Sequence, residues 1–111
     1  MIEFTLPLPV STNNLYANVR GKGRVKTKAY RAWIDEAGWS LKTQRPGSLS
    51  GRVKTAYVLP ESCGLDADNI KALGDLLERM GVVENDRLIR DLHITFADRE
   101  NVLVRLEPCP T

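Results

Sequence analysis

Asp66-Ala67-Asp68-Asn69-Ile70-Lys71-Ala72-Leu73-Gly74-Asp75-Leu76-Leu77-Glu78-Arg79-Met80-Gly81 carries both the pattern that sets the architecture and the residues that suggest chemistry. Ile70, Leu73, Leu76, Leu77 and Met80 recur at helical spacing and form one apolar stripe. The stripe predicts a helix over Asp68–Met80, with Gly81 placed to end it in the left-handed conformation that glycine adopts without cost. Residues 61–66 read as the turn that leads into it.

On either side the period changes from helical to alternating. Upstream, Val53, Ala56, Tyr57 and Val58 predict a strand over Gly51–Leu59, stopped by Pro60. Downstream, Leu92, Ile94 and Phe96 alternate in a strand over Leu88–Phe96, and Val102 and Val104 in another over Asn101–Leu106. The polar run Asp98-Arg99-Glu100-Asn101 suits a hairpin turn between these two.

Further out, Ala29, Trp33, Ala37 and Leu41 are spaced by four, with Tyr30 and Ile34 beside them. They predict a helix over Thr27–Thr43, capped by Thr27 and closed by Pro46-Gly47. Ile2, Phe4 and Leu6 alternate with Glu3 and Thr5 in a first strand over Ile2–Leu8. Residues 10–28 read as a long loop or irregular hairpin, rich in Asn and Gly. The order β, loop, α, β, α, β, β predicts an α/β (α+β) fold, a mixed sheet of about four strands packed with two main helices. At 111 residues the chain fits one domain over 1–111.

Composition narrows the functional classes. With 42% hydrophobic and 27% charged residues the chain is of globular type, and no run reaches the roughly 20 apolar residues of a membrane span. Glu3 within the first strand argues against a signal peptide, so a cytoplasmic location without membrane contact is expected. Cys63 and Cys109 lack metal-ligand spacing and are expected as free thiols. The single histidine, His93, should face outward if Leu92 and Ile94 face the core.

Charge is distributed unevenly. Residues 1–56 hold ten Lys/Arg against three acids, and residues 57–111 hold six against eleven. Between Glu3 and Asp35 stand Arg20, Lys22, Arg24, Lys26 and Lys28 with no intervening acid. On a short extended arm their alternation would put all five on one face, as candidate phosphate contacts; a solvated loop is the plain alternative.

Asp66 and Asp68, two apart at the entry to a helix, would share one side of an extended segment. Asp86 lies 18 residues beyond Asp68. The helix between spans about 20 Å, so a short return brings Asp86 toward the same place. Three convergent carboxylates can hold one or two Mg²⁺ ions, the arrangement that activates a water in phosphodiester cleavage. The competing reading is structural, since Asp before a helix is a common N-cap. The segment fails as an EF-hand loop, because Ile70 and Lys71 occupy the positions of the third ligand and the glycine. It lacks the apolar strand that a phosphatase-type D-x-D motif requires.

Taken together, the motifs resemble the RusA family of Holliday-junction resolvases over nearly the whole chain. The family opens with L-P-x-P-x-S-x-N-x-x-Y, matched by Leu6-Pro7-Leu8-Pro9-Val10-Ser11-Thr12-Asn13-Asn14-Leu15-Tyr16. Its D-x-D-N core followed by Lys is matched by Asp66-Ala67-Asp68-Asn69 with Lys71, and its closing acidic stretch by Gly81-Val82-Val83-Glu84-Asn85-Asp86. The resemblance implies a homodimeric endodeoxyribonuclease that binds four-way DNA junctions and nicks two strands symmetrically with Mg²⁺ (Mn²⁺ as the alternative ion). It implies Asp66, Asp68 and Asp86 as metal ligands and Lys71 as the cation at the phosphate. Two departures stand out. Lys71 follows Asp68 by three residues where the family usually has four, and the residues before Asp66 are uncharged. From the residues themselves, a non-catalytic DNA-binding module and a charge-paired scaffold remain the alternatives. Trp33 reads as core, Trp39 as a residue of the other helix face suited to a dimer contact, Asn13 and Tyr16 as loop-shaping, and Asp75 as a helical partner of Lys71.

Overall fold

The computed structural model describes residues 1–10, 14–61 and 71–109. Along the chain run β1 (Ile2–Leu6), β2 (Tyr16–Val19), β3 (Gly23–Lys26), α1 (Lys28–Gln44), β4 (Val53–Pro60), α2 (Lys71–Arg79), a 3-10 turn (Asp86–Leu88), β5 (Ile89–Ala97) and β6 (Val102–Pro108). Four strands form a mixed sheet in the order β1-β6-β4-β5, and β2 and β3 form a separate hairpin. In the sheet, β4 runs parallel to β5 and antiparallel to β6, which is antiparallel to β1. The expected α+β architecture is therefore present.

Strand alternation sorts the two faces of the sheet. Phe4, Val104, Tyr57 and Ile94 line up across all four strands, and the first three are buried. Against this face lie Tyr30, Trp33, Ala37 and Leu41 of α1 and Ala72, Leu73, Leu76 and Leu77 of α2, in one hydrophobic cluster. The opposite face carries paired charge: Arg105 of β6 donates to Glu3 of β1 at 2.8 Å, and within β5 His93 Nε2 lies 2.9 Å from Asp91, two residues along the same strand. His93 thus points away from the helices, as the alternation predicts.

Both ends of α1 use the expected chemistry. Thr27 Oγ1 accepts the backbone N–H of Tyr30, and Arg45 takes the left-handed conformation just before Pro46. Trp33 is buried, and its indole N–H donates to the carbonyl of Pro7 at 3.0 Å, tying the segment after β1 to the helix. Gln44 reaches the outer edge of β1, where its side chain accepts from the Thr5 N–H and donates to the Thr5 carbonyl. An amide side chain so supplies what a further strand would, and blunts that edge.

Three expectations are corrected. The first strand ends at Leu6, because Pro7 has no N–H to continue the ladder. Val102 does not return beside β5 in a hairpin, since β4 lies between β5 and β6 and residues 98–101 cross over its end. Leu92 and Phe96 stay about half exposed although they share the core-side face with Ile94, because β5 is an edge strand. The turn expected over residues 61–66 falls, beyond Glu61, outside the described residues, as does Cys63; Cys109 is a free thiol. Among the described residues no helix is long and apolar enough to cross a membrane.

Candidate functional site

Residues 14–28 contain the hairpin, one of the two expected forms, and its strands reverse the chain where a single extended arm would carry all five basic residues. Tyr16–Val19 pairs with Gly23–Lys26, and Lys22 N–H closes the turn onto the Val19 carbonyl. This overturns the expectation that the five basic residues share one face. Arg20 and Lys22 occupy the turn, Arg24 and Lys26 share a face of β3, and Lys28 begins α1. Arg24 lies with its guanidinium 4.5 Å over the ring of Tyr16, a cation on an aromatic face. Tyr16 in turn meets Tyr30 edge-on at 5.9 Å, which braces the hairpin against α1.

The hairpin, α1 and α2 enclose a cleft of about 380 Å³. Lys26 of the hairpin, Tyr30 of α1, and Lys71, Asp75, Glu78 and Arg79 of α2 line it. Lys71 and Lys26, separated by 45 positions in the chain, thus face one space. Arg79 joins them and was not singled out by any sequence motif.

Asp86 returns to this neighbourhood by a defined path. After α2, Gly81 takes a positive φ, and Leu49 N–H bonds the Val82 carbonyl at 2.8 Å, anchoring the return beside the start of β4. Glu84 accepts the Gly51 N–H, and Asn85 caps the 3-10 turn through the Arg87 N–H. The Asp86 backbone N–H donates to Glu78 Oε1 at 3.0 Å, which fixes Asp86 beside the end of α2. Its side chain remains on an exposed residue.

Asp75 reports the electrostatics of the cleft. Its carboxyl is held above the usual aspartate range, first because burial disfavours the charged form. Lys71 opposes that shift, Asp86 and Glu78 add to it, and Lys26 opposes it weakly. The same carboxylate helps raise Tyr30 and Tyr57, in both cases after burial itself. Asp75 therefore stands in the field of both Lys71 and Asp86, not merely as a helical partner of the lysine.

Of the expected metal-ligand set, Asp86 is placed as described, while Asp66 and Asp68 lie outside the described residues. Among the described residues no three His, Cys, Asp or Glu side chains gather closely enough to hold an ion. In the sequence Asp68 stands three positions before Lys71 of α2.

The fold and site define an α+β domain whose single-faced core supports a cleft where lysine and arginine meet carboxylates, suited to a polyanionic ligand. No family model matches the chain. A similar protein is the crossover junction endodeoxyribonuclease RusA of Aquifex aeolicus (strain VF5), 31% identical over 108 residues that cover 91% of this chain and 86% of the relative. The chain belongs to the RusA family of crossover junction endodeoxyribonucleases.

Proposed function

We propose that this protein is a structure-specific endodeoxyribonuclease that resolves four-way DNA junctions or related branches, in recombination and repair, by paired symmetric nicks. The observation that carries the reading is the cleft itself: Lys26, Lys71 and Arg79 face one space with Asp75, beside a fixed Asp86, in a chain of this family.

The residues divide the work by chemistry. Arg20 and Lys22 at the hairpin turn, with Arg24, Lys26 and Lys28, neutralise backbone phosphates and set the duplex in place. Lys71 faces the scissile phosphate and stabilises the charge that develops on its oxygens. Asp66, Asp68 and Asp86 would hold Mg²⁺, or Mn²⁺ in its place, because the hard oxygen donors of aspartate suit these ions. When bound, the ion supplies an activated water and charge neutralisation at the phosphoryl group. The contact with Glu78 uses the Asp86 backbone, so the carboxylate is left to serve as a ligand. A homodimer matches the two-fold symmetry of a junction and accounts for paired nicks.

The test is cleavage of a synthetic four-way junction and of a linear duplex of the same sequence, each with Mg²⁺ and with chelator. The reading expects nicks in the junction alone, only with Mg²⁺, and loss of nicking with retained binding in Asp68→Asn. Salt-dependent binding without nicking under any condition identifies a non-catalytic DNA-binding module instead.

A further inference from the structure

The space between the two helices continues beyond the cleft. Ile34 and Arg79 line both the cleft and a second hollow of about 160 Å³, which reaches Trp39 and Lys42 at the far end of α1. Trp39 is 72% exposed, in contrast to the 4% of Trp33. Lys42 Nζ lies 5.7 Å from the centre of its ring.

The neighbours of Trp39 decide what the ring is for. Asp35, Glu36, Ser40, Lys42 and Thr43 neighbour it along the helix, and the apolar residues that share its hollow, Ile34 and Met80, are themselves partly buried, so Trp39 is the exposed aromatic of a largely polar surface. A subunit contact is built around a contiguous apolar centre. A lone aromatic face beside a cation is the unit that stacks an unpaired base and holds its phosphate. The hairpin end of the same groove repeats that unit, with Arg24 over Tyr16.

Charge along the groove points the same way. Lys26, Lys71, Arg79 and Lys42 succeed one another from hairpin to Trp39. Of the acids beside them, Asp75 and Glu78 line the cleft, Glu78 accepting the Asp86 N–H, and Asp35 lines the smaller hollow with Lys42 and Arg79, so the basic residues outnumber the acids along the groove. From Tyr30 to Trp39 the helix advances about 13 Å, room for a short run of nucleotides of one strand.

We propose that the groove between α1 and α2 is a second DNA contact, a track for one strand leaving the cleft, with an unpaired base stacked on Trp39 and its phosphates held by Lys42 and Arg79. The inference rests on the reading of the cleft as the nuclease site. It adds that the enzyme favours branches presenting unpaired nucleotides next to the cut.

Tryptophan emission tests this directly, since Trp33 is buried and Trp39 is not. The full-length protein is titrated in chelator with a synthetic four-way junction carrying unpaired thymidines at its crossover, and separately with a short thymidine oligonucleotide. Emission should be quenched to saturation by both, and the quench should vanish in Trp39→Phe. Affinity for the junction should fall about tenfold in Trp39→Ala. Lys42→Ala should reduce the slope of log affinity against log salt by about one, a readout that stands even if Trp39→Ala folds poorly. Unchanged Trp39 emission while anisotropy reports full junction binding overturns the proposal. So does emission that changes with protein concentration in the absence of DNA, which makes Trp39 a subunit contact. If wild-type protein fails to nick junctions in Mg²⁺ yet shows the quench, the nuclease reading falls and the groove stands as a DNA contact.

Discussion

Replacing Thr55 by valine should stabilise this protein, against the usual direction of substitutions at fully buried positions. Thr55 lies in the central strand β4, is completely buried, and aligns with Leu106 on one side and Leu92 on the other. Its hydroxyl has no hydrogen-bond partner among the described residues. A buried hydroxyl without a partner costs about 1–3 kcal/mol relative to its hydrated state. Valine has the same branched shape and the same preference for strands, so the change removes the polar atom without opening a cavity or straining the backbone. A gain of about 1–2 kcal/mol is expected, the lower part of that range because small rotations already relieve some of the cost. With a urea m-value of about 1–3 kcal/mol/M, the midpoint should rise by roughly 0.5–1 M at unchanged m. The measurement is equilibrium urea unfolding of both proteins at one fixed protein concentration, because subunit association would shift the midpoint as well. A lower midpoint, or an equal one, refutes the reasoning and means that the hydroxyl is satisfied.

Gln44→Ala removes the side chain that serves both backbone groups of Thr5 at the sheet edge, and urea unfolding should show a loss of about 1–2 kcal/mol. Gln44→Glu should be at least as damaging, since it replaces the donor to the Thr5 carbonyl with a second acceptor. Trp33→Phe leaves the Pro7 carbonyl without its indole partner and should cost about 1–2 kcal/mol while keeping the fold, as near-ultraviolet circular dichroism would show. Asp75 has a folded pKa above its unfolded value, so its ionised form weakens the fold as pH rises out of the usual aspartate range. In chelator, Asp75→Asn should therefore be more stable than wild type near neutral pH, with the gap closing as pH falls below that range; a gap that widens on acidification reverses the assignment. Lys71→Ala should lower the nicking rate at saturating junction by about 10²–10³-fold, with junction binding much less affected.

What could be read in the sequence followed how local each determinant is. The stripe Tyr30, Trp33, Ala37 and Leu41 states its helix and its buried face without outside information, and the structure buries those residues. Trp39 falls outside that stripe and is exposed. Alternation in β4 and β6 likewise marks the core face. Pairing is a different matter. Residues 98–101 look like a hairpin turn locally, and only the non-local register of β4 with both neighbours separates β5 from β6. In the basic segment the reversal itself is local, marked by Gly21 and Gly23 at positive φ and open to the irregular-hairpin reading; what is non-local is its docking, through Tyr16 and Thr27, at the start of α1. Asp75 and Arg79 carried no motif, and only the packing of the hairpin against α2 joins them to Lys26 and Lys71. The anchor of Asp86, the Glu78 carboxylate, carried no motif, and its expected approach to Asp66 and Asp68 lies outside the described residues.

The proposed activity requires Asp66, Asp68 and Asp86 to act as one site for a divalent cation. Mn²⁺ titration followed by electron paramagnetic resonance, on wild type and on Asp66→Asn, Asp68→Asn and Asp86→Asn, measures this without reference to DNA. Loss of Mn²⁺ binding in each of the three variants, with the fold intact by circular dichroism, is the predicted result. Wild-type Mn²⁺ affinity in Asp86→Asn, or no stoichiometric binding by the wild-type protein, contradicts it.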